Sequence, residues 1–292
     1  MPIRHLVAAL LLGSAAIPAV AQDAQTLVAK NLEARGGEAA LAAIKTIKFH
    51  GRSIAPGGFE LSYDETRQRV GPSSAADRLD LTVQGLDLVQ AYDGHGGGWR
   101  INPFQGRKDP EKMSADEARA LADGALIEGP LLASLHDGSR VDYLGTEDFD
   151  GTLAYKLKVT QKDGDEFTYW LDPDSYLEIK VEERRKLRGA EQTSETELGD
   201  YEKVAGVYFP MSVESWSQGQ DNQRQRTIIA TGQANVDVSP AAFEEPGGAP
   251  TPAKAAGAPP DASNKPHTKP TISSKPAATK EPPVSTPKPR GE

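Results

Sequence analysis

The chain has no cysteine among its 292 residues. That removes disulfides, thiolate metal sites and cysteine nucleophiles together. A disulfide-free exported chain must then depend on an ordinary hydrophobic core. Histidine is nearly as scarce. Between residues 22 and 246 only His50, His95 and His136 occur, none at the i, i+4 spacing of a helix-borne metal pair, and no H-E-x-x-H is present. Phosphate loops, dinucleotide fingerprints and calcium loops are missing too. Basic residues are outnumbered: the same segment holds 25 Lys and Arg against 39 Asp and Glu, a net −14. An acidic body with no basic stripe argues against nucleic acid as a partner. Beyond residue 21 no long apolar run occurs.

The first 21 residues read as a secretory signal peptide. Arg4 and His5 form a basic start, Leu6 to Leu12 an apolar stretch, and Ala19-Val20-Ala21 a small-residue cleavage site before Gln22. The stretch is too short for a membrane anchor, and no cysteine follows to take a lipid. Export to a bacterial periplasm, as a soluble chain, is the expectation. At the other end, residues 247–292 hold 11 prolines in 46 residues and a net charge of +4. Such a composition predicts a disordered tail with polyproline character, leaving residues 22–246 as the folded domain.

Within that domain the dominant pattern is period two. Leu153, Tyr155, Leu157 and Val159 share a face; Asp163-Gly164 offers a tight turn; Phe167, Tyr169 and Leu171 alternate; Asp172-Pro173 breaks; Leu177, Ile179 and Val181 alternate again. This predicts an antiparallel meander with one buried face. Comparable runs cover Thr46–Ile54, Phe59–Val70, Arg78–Gln84, Asp87–Asp93, Trp99–Asn102, Glu195–Tyr201, Val207–Trp216 and Gln223–Val236. About ten or eleven strands follow, at the spacing of a sandwich or barrel. Helices are predicted over Asp23–Arg35, stopped by Gly36-Gly37, and over Glu38–Lys45. Two more separate the strand blocks. One opens on the capping box Ser114–Glu117 and carries Leu121; the other starts at Pro130 and carries Leu131, Leu132 and Leu135. The fold class is mainly β with flanking helices.

Little in the chain resembles chemistry. His95-Gly-Gly-Gly98 matches an esterase oxyanion loop, but the G-x-S-x-G elbow it requires is absent. Glu147, Asp148 and Asp150 read as a solvated acidic turn. Glu182, Glu183, Arg184, Arg185 and Lys186 read as an exposed strand end. No catalytic residue, metal site or cofactor is expected. The apolar residues carry more information. Trp170 and Trp216 fall opposite the alternating apolar faces of their strands, so both faces of the sheet need a cover. One reading is ordinary edge packing. The other is an apolar cavity under a helical lid, with Trp99, Leu121, Leu131, Leu132, Leu135, Trp170 and Trp216 as wall and lid.

Several segments together carry a family resemblance: Gly36-Gly-Glu-Ala-Ala-Leu-Ala-Ala-Ile44, Tyr92-Asp-Gly94 with Trp99-Arg-Ile-Asn-Pro103, Asp150-Gly151 before Tyr155-Lys-Leu157, Tyr169-Trp-Leu-Asp-Pro173, Gly206-Val-Tyr-Phe-Pro210, and Asn235-Val-Asp-Val-Ser-Pro-Ala-Ala-Phe243. In order and spacing they resemble the LolA/LolB-like periplasmic lipoprotein carriers over nearly all of residues 22–246. The resemblance implies an unclosed, curved antiparallel β-barrel with helices across its mouth. It implies a non-enzymatic protein that holds a lipid or the acyl chains of a lipoprotein and ferries them between envelope partners, with transient membrane-surface contact. An alternative on the same fold is an envelope sensor or chaperone that recognises a polypeptide. The chain departs from the membrane-anchored members in lacking a lipid-attachment cysteine, and its tail is not a family feature.

Overall fold

The computed structural model describes residues 23–106 and 108–247. The expected signal peptide, and the expected tail beyond residue 247, lie outside the described residues. Thirteen strands are present in what is described: β1 (Thr46–Ala55), β2 (Phe59–Gly71), β3 (Ser74–Val83), β4 (Leu86–Tyr92), β5 (Gly98–Ile101), β6 (Glu111–Lys112), β7 (Arg140–Phe149), β8 (Thr152–Thr160), β9 (Glu166–Leu171), β10 (Glu178–Leu187), β11 (Ala190–Val204), β12 (Val207–Ser217) and β13 (Gln225–Ala234). Four α-helices accompany them: α1 (Ala24–Arg35), α2 (Glu38–Ala43), α3 (Ala115–Ala125) and α4 (Gly129–Asp137).

The strands form one antiparallel sheet in the order 6-5-4-3-2-1-13-12-11-10-9-8-7. Strands consecutive in sequence are paired, as tight turns require, with one exception. Between β6 and β7 the chain leaves one edge of the sheet, forms α3 and α4, and returns at the other edge. Pairing of β1 with β13 brings the two ends of the domain together mid-sheet. The barrel is therefore unclosed, and the two helices span its gap. Register shifts at His50/Gly51, Arg69/Gly71, Tyr143/Gly145 and Glu178/Lys180 are the bulges that bend long strands into a curved wall.

Two strands exceed the sequence expectation. β6 has two residues, too few to show a period. In β7, Val141 and Tyr143 alternate, but the bulge before Gly145 (φ 100°) shifts the phase. The outer half of that strand, Glu147 and Asp148 included, then looks like an acidic turn.

Helix α1 begins at Ala24, one residue later than expected, because Asp23 caps it: its carboxylate accepts from the Thr26 N–H at 2.7 Å. Its buried stripe is Leu27, Val28, Asn31 and Arg35, and the helix packs on α4, β7 and β12. It ends at Gly36 (φ 122°), where an added Cβ would lie 2.3 Å from the Gly206 carbonyl oxygen. Only glycine allows both that backbone angle and that approach. The capping box of α3 forms, with Ser114 and Glu117 each bonding the other's backbone N–H.

The main core lies on the face carrying Ile47, Phe49, Leu157, Val159, Phe167, Tyr169, Leu171, Val207, Phe209 and Met211, with Leu131 and Leu132 of α4 and Leu27 and Val28 of α1. The other face of β3–β5 has a separate cluster of Val89, Ala91 and Trp99. Its cover is the segment after β13, with its short 3₁₀ turn Pro240–Ala242, and not one of the four α-helices. The Phe243 carbonyl accepts from Trp99 Nε1 at 2.8 Å and the Ala242 carbonyl from Arg78 Nη1 at 3.0 Å.

Candidate functional site

A cavity of about 350 Å³ opens between the core face of the sheet and the stretch from Ala120 to Leu131, which comprises the end of α3, the connector and the first turn of α4. Its apolar wall is built by period-two positions of four strands: Phe49 from β1, Phe167 and Tyr169 from β9, Phe209 and Val213 from β12, and Ile229 from β13. Phe49 and Phe209 meet edge to face at 5.4 Å. Leu126, Ile127 and Leu131 close the top. The volume falls within the roughly 300–1,000 Å³ of small-molecule sites.

Three ionic groups are set into this wall. In the first, Arg35 of α1 donates to Glu178 at 3.2 Å and to the Tyr208 carbonyl at 2.8 Å. The Tyr201 hydroxyl donates to Glu178, and burial pushes that phenol well above the usual range. In the second, Arg67 donates twice to Glu65, at 2.7 and 3.0 Å. The Tyr63 hydroxyl donates to the other oxygen of Glu65. Neighbouring Asp77 is buried, and that burial, followed by the Glu65 charge, raises its carboxyl well above the ordinary value.

The third group lies where α3 meets β9 and β10. The Arg185 guanidinium, 4% exposed, has Asp123 at 3.3 Å and Asp165 at 3.8 Å, and also contacts Glu183. Asp123 accepts from Gln161 Nε2 at 2.9 Å, while its other oxygen has no hydrogen bond. Burial raises all three carboxyls, Asp123 from 3.8 to about 6. Arg119 joins α3 to the same place, 3.0 Å from Asp163 and 3.5 Å from Asp165. On the other side of the opening, Arg69 of β2 grips Glu128 of the connector through two bonds, at 3.1 and 2.8 Å. The helical cover is thus pinned to both halves of the sheet.

This corrects two readings of β10. Arg185 is buried and Glu183 lines the cavity, so the Glu182–Lys186 run is not simply an exposed strand end. Glu178, which alternates in sequence with the apolar Leu177, Ile179 and Val181 and would face outward in a regular strand, is 4% exposed because the Glu178/Lys180 bulge turns it inward. The signal available in the sequence was phase: Glu183 and Arg185 share the parity of Val181, and Asn31 and Arg35 stand one and two helical turns beyond Leu27.

Of the residues expected to form wall and lid, Leu131 reaches the cavity. Leu132 and Leu135 belong to the main core beside it. Leu121 packs with Ala75, Tyr92, Ala118 and Ala125 under α3. The tryptophans lie on the opposite face of the sheet. Trp170 is held between the Lys156 and Lys180 ammonium groups, at 4.5 and 5.1 Å from its ring, and donates to Glu147 at 3.2 Å. Trp216 is covered by the Arg224 guanidinium at 3.6 Å. Trp99 lies under the C-terminal segment. Long cationic side chains with apolar stems cover the outward aromatics, which explains apolar residues on both faces without a second cavity.

Among the described residues no group of three or more His, Asp or Glu could hold a metal ion, and no helix is long and apolar enough to cross a membrane. His95 sits in the β4–β5 turn, where its N–H donates to Asp93 at 2.7 Å.

No family model matches the chain, and no curated protein matches it. Solved structures do. An outer membrane lipoprotein-sorting protein domain from Vibrio parahaemolyticus aligns with a TM-score of 0.55 at 12% identity, covering 76% of this chain and 98% of that one. A DUF1329 family protein from Desulfovibrio piger aligns with a TM-score of 0.54, also at 12% identity and over 76% and 98% of the two chains. A LolA superfamily protein from Nitrosomonas europaea gives 0.51 at 14% identity, over 77% and 99%. These chains share with ours an architecture rather than a readable sequence: it has the LolA-like fold, an unclosed antiparallel barrel with helices across the gap.

Proposed function

We propose that the protein is an exported, non-enzymatic carrier that holds a lipid, or the acyl chains of a lipoprotein, in the cavity beneath α3 and α4 and takes it through the periplasm between envelope partners. The observation that carries this reading is the cavity itself, with aromatic and aliphatic side chains from β1, β9, β12 and β13 on one side and Leu126, Ile127 and Leu131 on the other. Burying an acyl chain there gains about 25 cal/mol per Å² of apolar surface. The cover is an inserted connection that pairs with no strand of the sheet; it packs on the core through Ile127, Leu131 and Leu132 and is pinned by ion pairs. The lipoprotein-sorting domain of similar fold supports the same reading, as does the secretory pattern of residues 1–21.

Native mass spectrometry of protein purified from the periplasm without detergent tests the proposal, paired with displacement of a fluorescent naphthylamine dye by lipids. A co-purified lipid mass and saturable displacement are expected. Protein that carries no lipid, takes up no dye and binds no fatty acyl compound would sink the reading. A co-purified peptide in place of lipid would mark a protein-recognition module on the same fold.

A further inference from the structure

The cavity does not use the whole inner wall of the half-barrel. Tyr63, Glu65 and Arg67 line it, so the odd-numbered positions of β2 face inward. Leu61 and Phe59 continue that face toward the β1–β2 turn. Strand pairing carries it across the sheet: Tyr63 stands opposite Leu81, Leu81 opposite Leu88, and Val83 opposite Leu86. Val89 pairs with Ile101, so the 3₁₀ turn Pro103–Gln105 comes back beside the Leu86 end of β4, on which it packs. Helix α3 covers Ala75 and Tyr92, at the opposite ends of β3 and β4, and leaves this end bare. Phe59 is 66% exposed, Phe104 52% and Leu86 42%, while Leu61, Val83 and Leu88 are half-buried.

We infer that this strip is a second part of the ligand site, which takes the hydrocarbon that the cavity cannot hold, so that the protein selects amphiphiles whose chains are too long for the cavity alone. The inference rests on the proposed function and narrows its ligand class. Volume is the first reason. A methylene takes about as much room as a water molecule, roughly 30 Å³, so a cavity of about 350 Å³ holds about a dozen carbons. The chains of membrane lipids are longer and commonly paired. Continuity is the second reason. Tyr63 belongs to both cavity and strip, whereas at the level of Leu61 the adjoining strands β1 and β13 present Ser53, Thr227 and Gln225, bonded to one another. The apolar way out of the cavity therefore runs over β2–β4. A second copy of the chain fits this surface poorly. With about 150–250 Å² for a whole aromatic side chain, Phe59, Leu86 and Phe104 together expose about 300 Å², well below the roughly 800 Å² per partner of a stable dimer.

The test uses monoacyl glycerophosphocholines with chains of ten, twelve, fourteen and sixteen carbons, one head group throughout, on the mature full chain and below their micellar concentrations. Dye displacement reads their affinities. Each added methylene is expected to tighten binding about fourfold up to twelve carbons. Beyond twelve the gain should continue at about twofold or more per methylene, because the strip leaves one side of the chain in water. Phe59→Ser with Leu86→Ser should leave the ten- and twelve-carbon affinities unchanged and abolish the further gain; the retained binding shows that the variant is folded. If the double variant does not fold, Phe59→Ser alone, at the most exposed position, should reduce the same gain. A wild-type plateau at twelve carbons would overturn the strip. So would a long-chain gain that survives the substitutions; loss of vesicle binding or of a dimer in that variant would then give the surface to a membrane or a second copy. Failure of every chain length to bind would overturn the carrier reading instead.

Discussion

The guanidinium of Arg35, at the last residue of α1, stands 3.2 Å from the carboxylate of Glu178, at the first residue of β10, and both side chains are under a tenth exposed. With the Tyr208 carbonyl and the Tyr201 hydroxyl, this pair fastens the N-terminal helix to one wall of the cavity. Removing one partner of a buried pair leaves the other charge without compensation. Arg35→Met is therefore expected to cost about 3–5 kcal/mol, measured by urea unfolding. Glu178→Gln, which keeps an acceptor for Tyr201, should cost less. A loss under about 1 kcal/mol for Arg35→Met would show that water or another group takes over the Glu178 charge.

The α1–α2 corner makes a backbone prediction. At Gly36 a methyl group would meet the Gly206 carbonyl oxygen in the β11–β12 turn, at a φ that L residues avoid. Gly36→Ala should destabilise by about 2 kcal/mol or more, through strain and backbone displacement. Gly37→Ala, at a similarly positive φ but with open space around it, should cost less. Equal unfolding midpoints for the two variants would remove the packing part of the argument.

Asp123 gives a pH dependence with a definite sign. Burial raises its carboxyl from 3.8 to about 6, so the folded chain binds a proton that the unfolded chain has released. That contribution favours folding below about pH 4 and is lost as pH rises through about 6. Asp165 and Glu183 are raised by the same cause and act in the same direction. Asp123→Asn removes the cost of ionising the group, so at pH 7.5 it should be more stable than wild type, by roughly 1–3 kcal/mol. The difference should fade by about pH 4.5. Denaturant titrations at the two pH values check this; a variant less stable at both would mean that the contact with Arg185 outweighs desolvation.

Trp170 separates stability from binding. It is buried outside the cavity, between Lys156 and Lys180. Trp170→Ala should lower stability by about 3–5 kcal/mol and leave the affinity of the folded protein for a cavity ligand unchanged. Phe209→Ala, at the cavity wall, should weaken both. A loss of ligand affinity in Trp170→Ala at a temperature where it is fully folded would place the ligand on the other face. Unfolding curves and dye displacement on the same samples supply both readings.

Patterning alone determined the strands with clean alternation, such as Val207–Val213 and the hairpin from Tyr155 to Leu171, because period two on one face is a local property of the chain; Leu153, at the strand end, is exposed. It determined all four helices to within two residues as well, since the Gly36 stop, the Ser114–Glu117 box and Pro130 act within a turn or two. The phase breaks were not legible. A bulge at Glu178/Lys180 or Tyr143/Gly145 depends on how the neighbouring strand pairs, and it reassigns every later side chain to the other face. The tryptophans look like cavity residues for another reason: the sequence does not show that Lys156, Lys180 and Arg224 cover the outer face; Glu183–Arg185 reads as surface by its charge, although its parity is that of Val181. Only the tertiary structure decided that Arg35, Arg67 and Arg185 lie in the wall around the cavity. Arg35 and Arg185 are buried and Arg67 is 24% exposed; their carboxylates come partly from the same strand (Glu65, Glu183) and partly from other elements (Glu178, Asp123), and such an ion pair leaves no hydrophobic signature in sequence. The core face was written in apolar residues; the polar fittings of the cavity became visible once partners distant in sequence were brought together.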